Sequence, residues 1–292
     1  MNKIVGKHHL SEEVWQMEIV APHIAEERKA GQFIILQVDE NFGERIPLTI
    51  AKADRAAGTI TIVFQTVGAT THKLAKLEVG DSVAAVLGPL GRPTHVEKVG
   101  RVVAVGGGIG VAPLFPIVEA HKAAGNHVTV IMGARTKDLI LFEREMRETA
   151  DAVIVCTDDG SYGRKDLVTV PLKEACASAT PPAEVIAIGP PIMMKFCAET
   201  TRPFGIKTLV SLNTIMIDGT GMCGGCRVTV GGETKFVCVD GPEFDGHLVD
   251  FDNMMKRLRA YKPREDADHE KYHCKLEAAA ARLEAAAATH AK

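Results

Sequence analysis

The feature that most constrains the fold is an alternation of apolar runs and amphipathic segments between residues 98 and 205. Apolar runs recur in RVVAVGG, HVTVIMG, AVIVCTDDG and EVIAIG, and helix-like stretches such as APLFPIVEAHKAAG lie between them. Strands buried on both faces and separated by helices are typical of a parallel sheet with helices on both sides. The pattern therefore predicts an α/β domain over residues 98–205.

Residues 1–97 carry a different pattern, in which short segments rich in Val, Ile, Thr and Phe are separated by turn residues. EVWQMEIVA, GQFIILQVD, IPLTIAKAD and GTITIVFQTV predict the strands of a closed or nearly closed antiparallel barrel. TTHKLAKL predicts one helix within it, and LGPLGRP (87–93) predicts a tight turn that leads into the next domain.

The remaining chain divides into a cysteine-bearing module at 206–262 and a tail at 263–292. The tail ends in KLEAAAARLEAAAATHAK, whose alanine content favours helix. The predicted fold class is thus β + α/β: an antiparallel barrel, a parallel-sheet domain and a small C-terminal module.

Charge and composition restrict the partners and the compartment. A formal net charge of −3 gives no reason to expect nucleic acid or an anionic membrane as partner. The run VVAVGGGIGVAPLFPIV holds four glycines and two prolines, which suit a membrane span poorly, and MNKIVGKHHLSEEVW lacks the apolar stretch of a secretion signal. Seven cysteines, an odd number, argue against a disulfide framework, so we expect a reducing, cytoplasmic setting.

Three of the cysteines show ligand spacing. Cys223 and Cys226 are two residues apart, and Cys238 follows after eleven more. The plant-type [2Fe–2S] spacing C-x4-C-x2-C places Asp218 where the first cysteine would stand. D-x4-C-x2-C-x11-C therefore predicts a [2Fe–2S] cluster whose fourth ligand is a carboxylate, a harder donor than sulfur. A zinc site on the same residues, or free structural cysteines, are the alternatives.

The other four cysteines show no ligand spacing. Cys156, Cys176 and Cys197 are interpreted as core residues, because free cysteine behaves as a small buried apolar residue. Cys274 lies in the tail. His8 and His9 are interpreted as surface residues.

Glycines cluster between a buried strand and a predicted helix start in RVVAVGGGIGVAPL. Gly106, Gly107, Gly108 and Gly110 would let the backbone approach a pyrophosphate, and a helix N-terminus favours its negative charge. Tight strand-to-helix turns also use glycine, and the order differs from the fingerprint G-x-G-x-x-G. Arg135, instead of an acidic residue, follows the next strand and could meet a phosphate or cap a turn.

Two stretches of the predicted barrel offer partners for a flavin. In ERIPLTI, the Arg45 guanidinium suits a diphosphate and Thr49 could reach the ring edge. In VGATTHKL, Gly68, Thr70 and Thr71 stand at a predicted helix start, where backbone N–H groups attract phosphate. An Arg near a Thr is also usual on a solvated strand, so these residues alone leave the ligand open.

Taken in order, the motifs resemble the ferredoxin–NADP reductase superfamily over residues 1–262. They are R-x-P-L-T, the glycine–threonine helix start, L-G-P-L-G, G-G-G-I-G-V-A-P, TDDGSYGRKDLVT and IGPPIMM. The cysteine module is similar to that of dihydroorotate dehydrogenase electron-transfer subunits, which carry four cysteine ligands. With Asp218 in the first position, it most resembles the small subunits of NADH-dependent reduced ferredoxin:NADP oxidoreductases, also described as sulfide dehydrogenase subunits.

The resemblance implies FAD in the barrel, NAD(H) on the glycine loop and a [2Fe–2S] cluster on the module. The residues it implies for the flavin are Arg45, Pro47, Leu48, Thr49, Gly68, Thr70 and Thr71. Those it implies for the nicotinamide nucleotide, together with the glycine loop and Arg135, are Asp158, Asp159, Gly160, Gly189, Pro190 and Met193. The cluster ligands would be Asp218, Cys223, Cys226 and Cys238.

The resemblance also implies a heterodimer with a larger subunit that carries a flavin and [4Fe–4S] centres, in an electron-bifurcating complex linked to ferredoxin and NADP(H). No catalytic acid or nucleophile is expected, because hydride transfer to a flavin requires none. One departure is that plant-type reductases end in an aromatic residue stacked on the flavin, whereas this chain continues into the module. Two alternatives stay open: the electron-input subunit of a dihydroorotate dehydrogenase, and a zinc-stabilised nucleotide-binding regulator.

Overall fold

The computed structural model describes residues 2–40, 44–265 and 267. Within this described part, the first sheet has seven antiparallel strands in the order β6–β1–β2–β5–β4–β3–β7. The strands are β1 Asn2–Ser11, β2 Val14–Val20, β3 Phe33–Gln37, β4 Arg45–Asp54, β5 Thr59–Gln65, β6 Ser82–Val83 and β7 Ala85–Leu90. The two outermost strands, β6 and β7, are consecutive in the chain with Ala84 between them. The sheet therefore curls into a nearly closed barrel.

Two helices accompany the barrel, α1 Pro22–Glu27 and α2 Ala69–Lys76. The helix predicted from TTHKLAKL is thus confirmed. The predicted turn over 87–93 is wrong for residues 87–90, which continue β7 and pair with β3. Strand β1 was not predicted, because Ile4 is its one buried residue and the strand shows no apolar alternation. His8 and His9 are exposed on β1, as expected.

The second sheet has the order β10–β9–β8–β11–β12–β15 within the described residues, and its first five strands are parallel. The strands are β8 Arg101–Gly107, β9 His127–Ala134, β10 Ala152–Thr157, β11 Glu184–Ile188, β12 Lys207–Ser211 and β15 Glu243–Asp245. β15 runs antiparallel to β12. The helices between the parallel strands are α3 Val111–Ala123, α4 Glu143–Thr149, α5 Thr169–Cys176 and α6 Pro191–Thr201.

Both faces of this sheet are covered, which confirms the predicted architecture. Val103 and Val105 of β8 share a core with the side chains of α5 and α6. Val102 and Ala104 point to the other face and share a core with α3 and α4. Near-continuous apolar strands are therefore the expected pattern here.

The C-terminal module rests against the edge of this sheet. It contains the hairpin β13 Arg227–Val230 and β14 Glu233–Phe236, the short helix α7 Val237–Asp240, and helix α8 Phe251–Arg259. Phe251 and Met254 anchor α8 in the core that α5 and α6 also share. The sheet that starts at residue 101 includes β12 and β15, so it extends past residue 205 into the module's sequence. The domain bounds drawn from the sequence stay a prediction.

Cys156, Cys176 and Cys197 are free and buried, in agreement with their interpretation as core residues. Cys274 and nearly all of the predicted helical tail lie outside the described residues. Of the helices that the structure describes, none has the length and apolar character needed to cross a membrane.

Candidate functional site

A large cleft of about 2120 Å³ lies where the barrel, the parallel sheet and the C-terminal module meet. Pockets for one drug-sized ligand rarely exceed roughly 1,000 Å³. The cleft therefore has room for two large ligands side by side. It is lined by residues from all three parts of the molecule, Cys223 included.

The barrel wall of the cleft is formed by β4 and the start of α2. Arg45, Pro47, Leu48 and Thr49 follow one another along the N-terminal half of β4, and all four line the cleft. Arg45 is exposed, and its Nε lies 3.5 Å from Gln37 Oε1. The guanidinium therefore keeps donors for an anionic group.

At the start of α2, the predicted phosphate cradle lines the same wall. Thr71 Oγ1 accepts hydrogen bonds from the Val67 and Gly68 N–H groups, each at 3.1 Å. Thr70 Oγ1 donates to Glu44 Oε2 at 3.0 Å. Both hydroxyls are thus engaged within the protein, and the first-turn backbone N–H groups, which lack intrahelical partners, are the donors that suit a phosphate.

The glycine loop forms a second wall of the cleft, at the end of β8 and the start of α3. Gly108 has φ +55°, and a Cβ placed on it would meet nothing within 4 Å, so the backbone is open to a ligand there. A Cβ on Gly110 would overlap the Ile188 carbonyl oxygen. Gly106 packs against Val111 and lies outside the lining, whereas residues 107–110 belong to it.

The other predicted nucleotide residues lie along the carboxyl ends of the parallel strands. Arg135 follows β9, Asp158 follows β10, and both are exposed in the cleft. Gly189, Pro190 and Met193, which follow β11, also line it. Ligands of open parallel sheets bind at this edge.

Asp159 and Gly160 lie outside the lining. The Asp159 carboxylate accepts from the Ser161 N–H at 2.9 Å and from the Ser161 hydroxyl at 2.7 Å. These hydrogen bonds lower the pKa of Asp159. The carboxylate therefore closes the turn after β10, beside the cleft.

The four predicted cluster ligands form two pairs. Asp218 Oδ2 accepts from the Cys223 backbone N–H at 2.8 Å, and the Cys226 thiol donates to Cys238 Sγ at 3.2 Å. Cys223 is exposed, whereas Cys226 and Cys238 are buried. In the described ranges, no three His, Cys, Asp or Glu side chains converge on one point as the ligands of a single metal ion would.

The pKa values of these groups follow from their surroundings. Hydrogen bonds from the Thr220 and Cys223 N–H groups lower the pKa of Asp218, so the carboxylate is ionised at neutral pH. Burial, and then the contact with Cys226, raises the pKa of Cys238 to about 12. The Cys238 thiol would therefore lose its proton at neutral pH only on binding a cation.

The local fold explains why the second pair meets. β13 and β14 pair in a register that sets Arg227 opposite Phe236, which brings the residues flanking the hairpin, Cys226 and Cys238, side by side. The hairpin turns at Gly231 and Gly232, both with positive φ, as a tight two-residue turn requires.

Several lining residues were not predicted from the sequence. Residues 213–217 connect β12 to the cysteine loop, and residues 260–262 follow α8. Arg227 and Arg257 line the cleft next to the cysteine loop. The sequence offers a signal for Arg227, because this residue directly follows Cys226. It offers none for Arg257, which reaches the site only through tertiary packing.

Comparisons with known proteins agree with this architecture. Residues 213–250 match the family described as the iron–sulfur cluster binding domain of dihydroorotate dehydrogenase B, and residues 104–199 match the oxidoreductase NAD-binding domain. A Thermotoga maritima protein named as a dihydroorotate dehydrogenase B (NAD(+)) electron transfer subunit homolog is 46% identical over 93% of this chain and 95% of its own.

The chain belongs to the family of dihydroorotate dehydrogenase B electron transfer subunits. This confirms the relationship that the motifs indicated.

Solved structures extend the comparison. A chain from the structure of NADH-dependent reduced ferredoxin-NADP oxidoreductase, described in connection with flavin-based electron bifurcation, superposes with a TM-score of 0.88. It is 44% identical, over 93% of this chain and 98% of its own. A Neisseria gonorrhoeae ferredoxin NADP+ reductase with bound FAD and NADP shares the fold, with a TM-score of 0.57 and 18% identity over 70% and 90% of the two chains.

This electron transfer subunit is therefore an oxidoreductase component that combines an NAD-binding domain with an iron–sulfur domain. The predicted fold class and superfamily are confirmed.

Proposed function

We propose that the chain is the small subunit of an NADH-dependent reduced ferredoxin–NADP oxidoreductase. In this proposal it passes electrons between NAD(H) and its larger partner through FAD and a [2Fe–2S] cluster. The observation that carries the proposal is that Cys223 shares one cleft with the flavin-type wall of β4 and the nucleotide-type wall of the glycine loop.

The donor set fits a two-iron cluster. A [2Fe–2S] cluster takes two ligands on each iron. Asp218 with Cys223 supplies one pair, and Cys226 with Cys238 supplies the other. A structural zinc ion takes four donors at one point, which suits this paired arrangement less well. Glycines of positive φ at 219, 221 and 224 let the loop curl around a cluster.

The two walls fit the other two ligands. Arg45 and the first-turn N–H groups of α2 suit the FAD diphosphate, and Thr49 suits the isoalloxazine edge. The open backbone at Gly108, followed by the N-terminus of α3, suits the pyrophosphate of NAD(H). Met193 and Pro190, which line the cleft on this wall, would border the approach to the flavin.

When bound, the flavin supplies the exchange between a two-electron hydride and single electrons, and the cluster supplies one-electron transfer. The protein's residues bind, orient and shield these groups. Leu48 of β4 and Met193 after β11 give the cleft apolar lining from both walls. Hydride transfer to a flavin needs no side chain that moves a proton at the reacting atoms.

A large subunit would dock beside the cysteine loop. Met222, which precedes Cys223, is 88% exposed. Val239, whose side chain lies against Gly221, is 38% exposed, and Ile217, which precedes Asp218, is 55% exposed. Exposed apolar side chains grouped at one place are typical of interaction sites. We propose that the partner there carries a flavin and [4Fe–4S] centres, and that ferredoxin and NADP(H) react on the partner.

The second candidate is the electron-input subunit of a dihydroorotate dehydrogenase B. The name of the Thermotoga maritima relative and the matched iron–sulfur family favour it. Asp218 in place of a cysteine argues for the oxidoreductase instead. Purification of the native complex separates the two. The proposal expects a partner with [4Fe–4S] clusters that reduces NADP, and a partner that oxidises dihydroorotate would support the second candidate.

The ligand assignment is tested with variants of Asp218 in anaerobically purified protein. Asp218→Cys should keep the cluster with an altered EPR spectrum, and Asp218→Ala should lose most of the iron. Asp54→Ala is the matched control, because the exposed Asp54 also closes a turn, accepting from the Ala57 N–H at 2.9 Å, but lies outside the cleft lining. Full iron content and an unchanged spectrum in Asp218→Ala would show that the fourth ligand is another residue.

A further inference from the structure

Two arginine side chains donate hydrogen bonds to the loop between Cys223 and Cys226. Arg227 Nη1 donates to the Gly224 carbonyl oxygen at 3.0 Å. Arg257 Nη2 donates to the Gly225 carbonyl oxygen at 3.2 Å. Gly224 and Gly225 are the two residues that separate Cys223 from Cys226. Each of the two carbonyl oxygens in this short link therefore accepts a hydrogen bond from a different arginine.

The two arginines come from different elements. Arg227 opens β13, and Arg257 lies in α8, 32 residues beyond Gly225. Helix α8 is held by its buried Phe251 and Met254. The link itself belongs to no helix or strand. Its position is therefore fixed from outside, by a strand and by a helix that packs on α6.

The charges of these arginines also bear on the cluster. The ligand set of three thiolates and one carboxylate carries four negative charges, and each added electron makes the centre more negative. Arg keeps its positive charge at any accessible pH. Because the guanidinium groups contact the backbone between two ligands, they stabilise the reduced state more than the oxidised state.

We propose that Arg227 and Arg257 are positioning residues for the cluster, which hold the Cys223–Cys226 link in place and raise the reduction potential of the centre. This inference rests on the proposed [2Fe–2S] function. Both arginines line the same cleft as Cys223 and the flavin-type wall. They would make the cluster a better acceptor for electrons that arrive through the cleft.

The test measures the midpoint potential of the cluster by EPR-monitored redox titration of the complete chain, with iron content determined in parallel. Arg227→Gln and Arg257→Gln keep a hydrogen-bond donor and lose the charge, whereas Arg227→Lys and Arg257→Lys keep the charge. Arg259→Gln is the matched control, because Arg259 lies exposed on the same helix and outside the cleft lining.

We expect both Gln variants to titrate at lower potential than the wild type, the Lys variants to lie close to the wild type, and Arg259→Gln to be unchanged. Gln variants that keep full iron and have the same midpoint potential as the Arg259→Gln control would overturn the inference. If the Gln variants lose iron and the Lys variants keep it, the inference is supported, because the two kinds of variant differ in the positive charge. Equal loss from the Gln and Lys variants refutes the electrostatic role.

The wild type separates this inference from the function on which it rests. A wild-type chain without iron contradicts the proposed function itself. A wild-type chain with a titrating cluster, combined with unshifted Gln variants, contradicts only the role of the two arginines.

Discussion

Glu243 is a buried carboxyl at the junction of the barrel and the parallel sheet. It opens β15, and its Oε1 accepts a hydrogen bond from the Thr94 hydroxyl at 2.6 Å. On the barrel side, a Cβ placed on Gly31 would lie 3.0 Å from the same oxygen. Burial raises the pKa of Glu243 from 4.5 to about 7, against the opposing effect of the Thr94 hydrogen bond.

The raised pKa means that the folded protein favours the protonated acid. The contribution of the protonated Glu243 to the free energy of unfolding is fully present below pH 4.5 and is lost as the pH rises through 7. A shift of this size corresponds to about 3 kcal/mol, since one pKa unit is worth about 1.4 kcal/mol. Because Glu243 keeps some contact with solvent, we expect about 2–3 kcal/mol of destabilisation at pH 8.

Glu243→Gln tests this reasoning, because Gln is neutral and can still accept from Thr94. At pH 8 the variant should be more stable than the wild type by about 2–3 kcal/mol, which is a rise in Tm of about 4–6 °C for a chain of this length. At pH 5 the difference should shrink to under about 1 kcal/mol. Thermal unfolding of the complete chain, followed by circular dichroism from pH 5 to 8, measures both.

The exposed Glu233 provides the matched control, because Glu233→Gln should change Tm little at either pH. A Glu243→Gln variant whose Tm difference from the wild type is the same at pH 5 and pH 8 would refute the reasoning. So would a variant that is less stable than the wild type at pH 8.

Three further predictions concern the cleft and its rim. Asp158→Ser should lower the preference for NADH over NADPH in kcat/KM about tenfold or more, because the exposed Asp158 carboxylate in the cleft would repel a ribose 2′-phosphate. Steady-state kinetics with both nucleotides measures this preference. Gly110→Ala should lower the free energy of unfolding by about 1–3 kcal/mol in thermal unfolding, because the new Cβ would overlap the Ile188 carbonyl oxygen. Gly108→Ala places its Cβ in open space, so it should lose only about 1 kcal/mol, from the positive φ of this residue. Met222→Lys should leave Tm unchanged, because the side chain is exposed. The same variant should bind the larger subunit about tenfold or more weakly in titrations of the two purified subunits. Unchanged affinity would exclude this face as the docking site.

Much of this architecture could be predicted from local pattern. Segments with clear apolar periodicity, such as those of β5 and β8, fall where the sequence placed them, because each is buried over nearly its whole length. The spacing of Asp218 and the three cysteines likewise indicated one module. β1 was missed because its sequence carries almost no apolar signal, and its place is set by pairing with β2 and β6.

The candidate site was predictable only in part, since several of its contacts depend on tertiary packing. The four glycines within residues 106–110 look alike in sequence, yet Gly106 packs against α3 while Gly108 opens to the cleft. Arg257 meets Gly225 only because α8 folds back on the module. No periodicity or spacing rule connects residues 32 positions apart.

The central claim is that one chain carries a flavin and a two-iron cluster in a shared cleft. The most direct measurement is the metal and flavin content of anaerobically purified wild-type protein. The account predicts about two iron atoms per chain, as a [2Fe–2S] centre requires, together with flavin in nearly equal amount to protein. Protein that contains zinc in place of iron, or that lacks flavin, would contradict it.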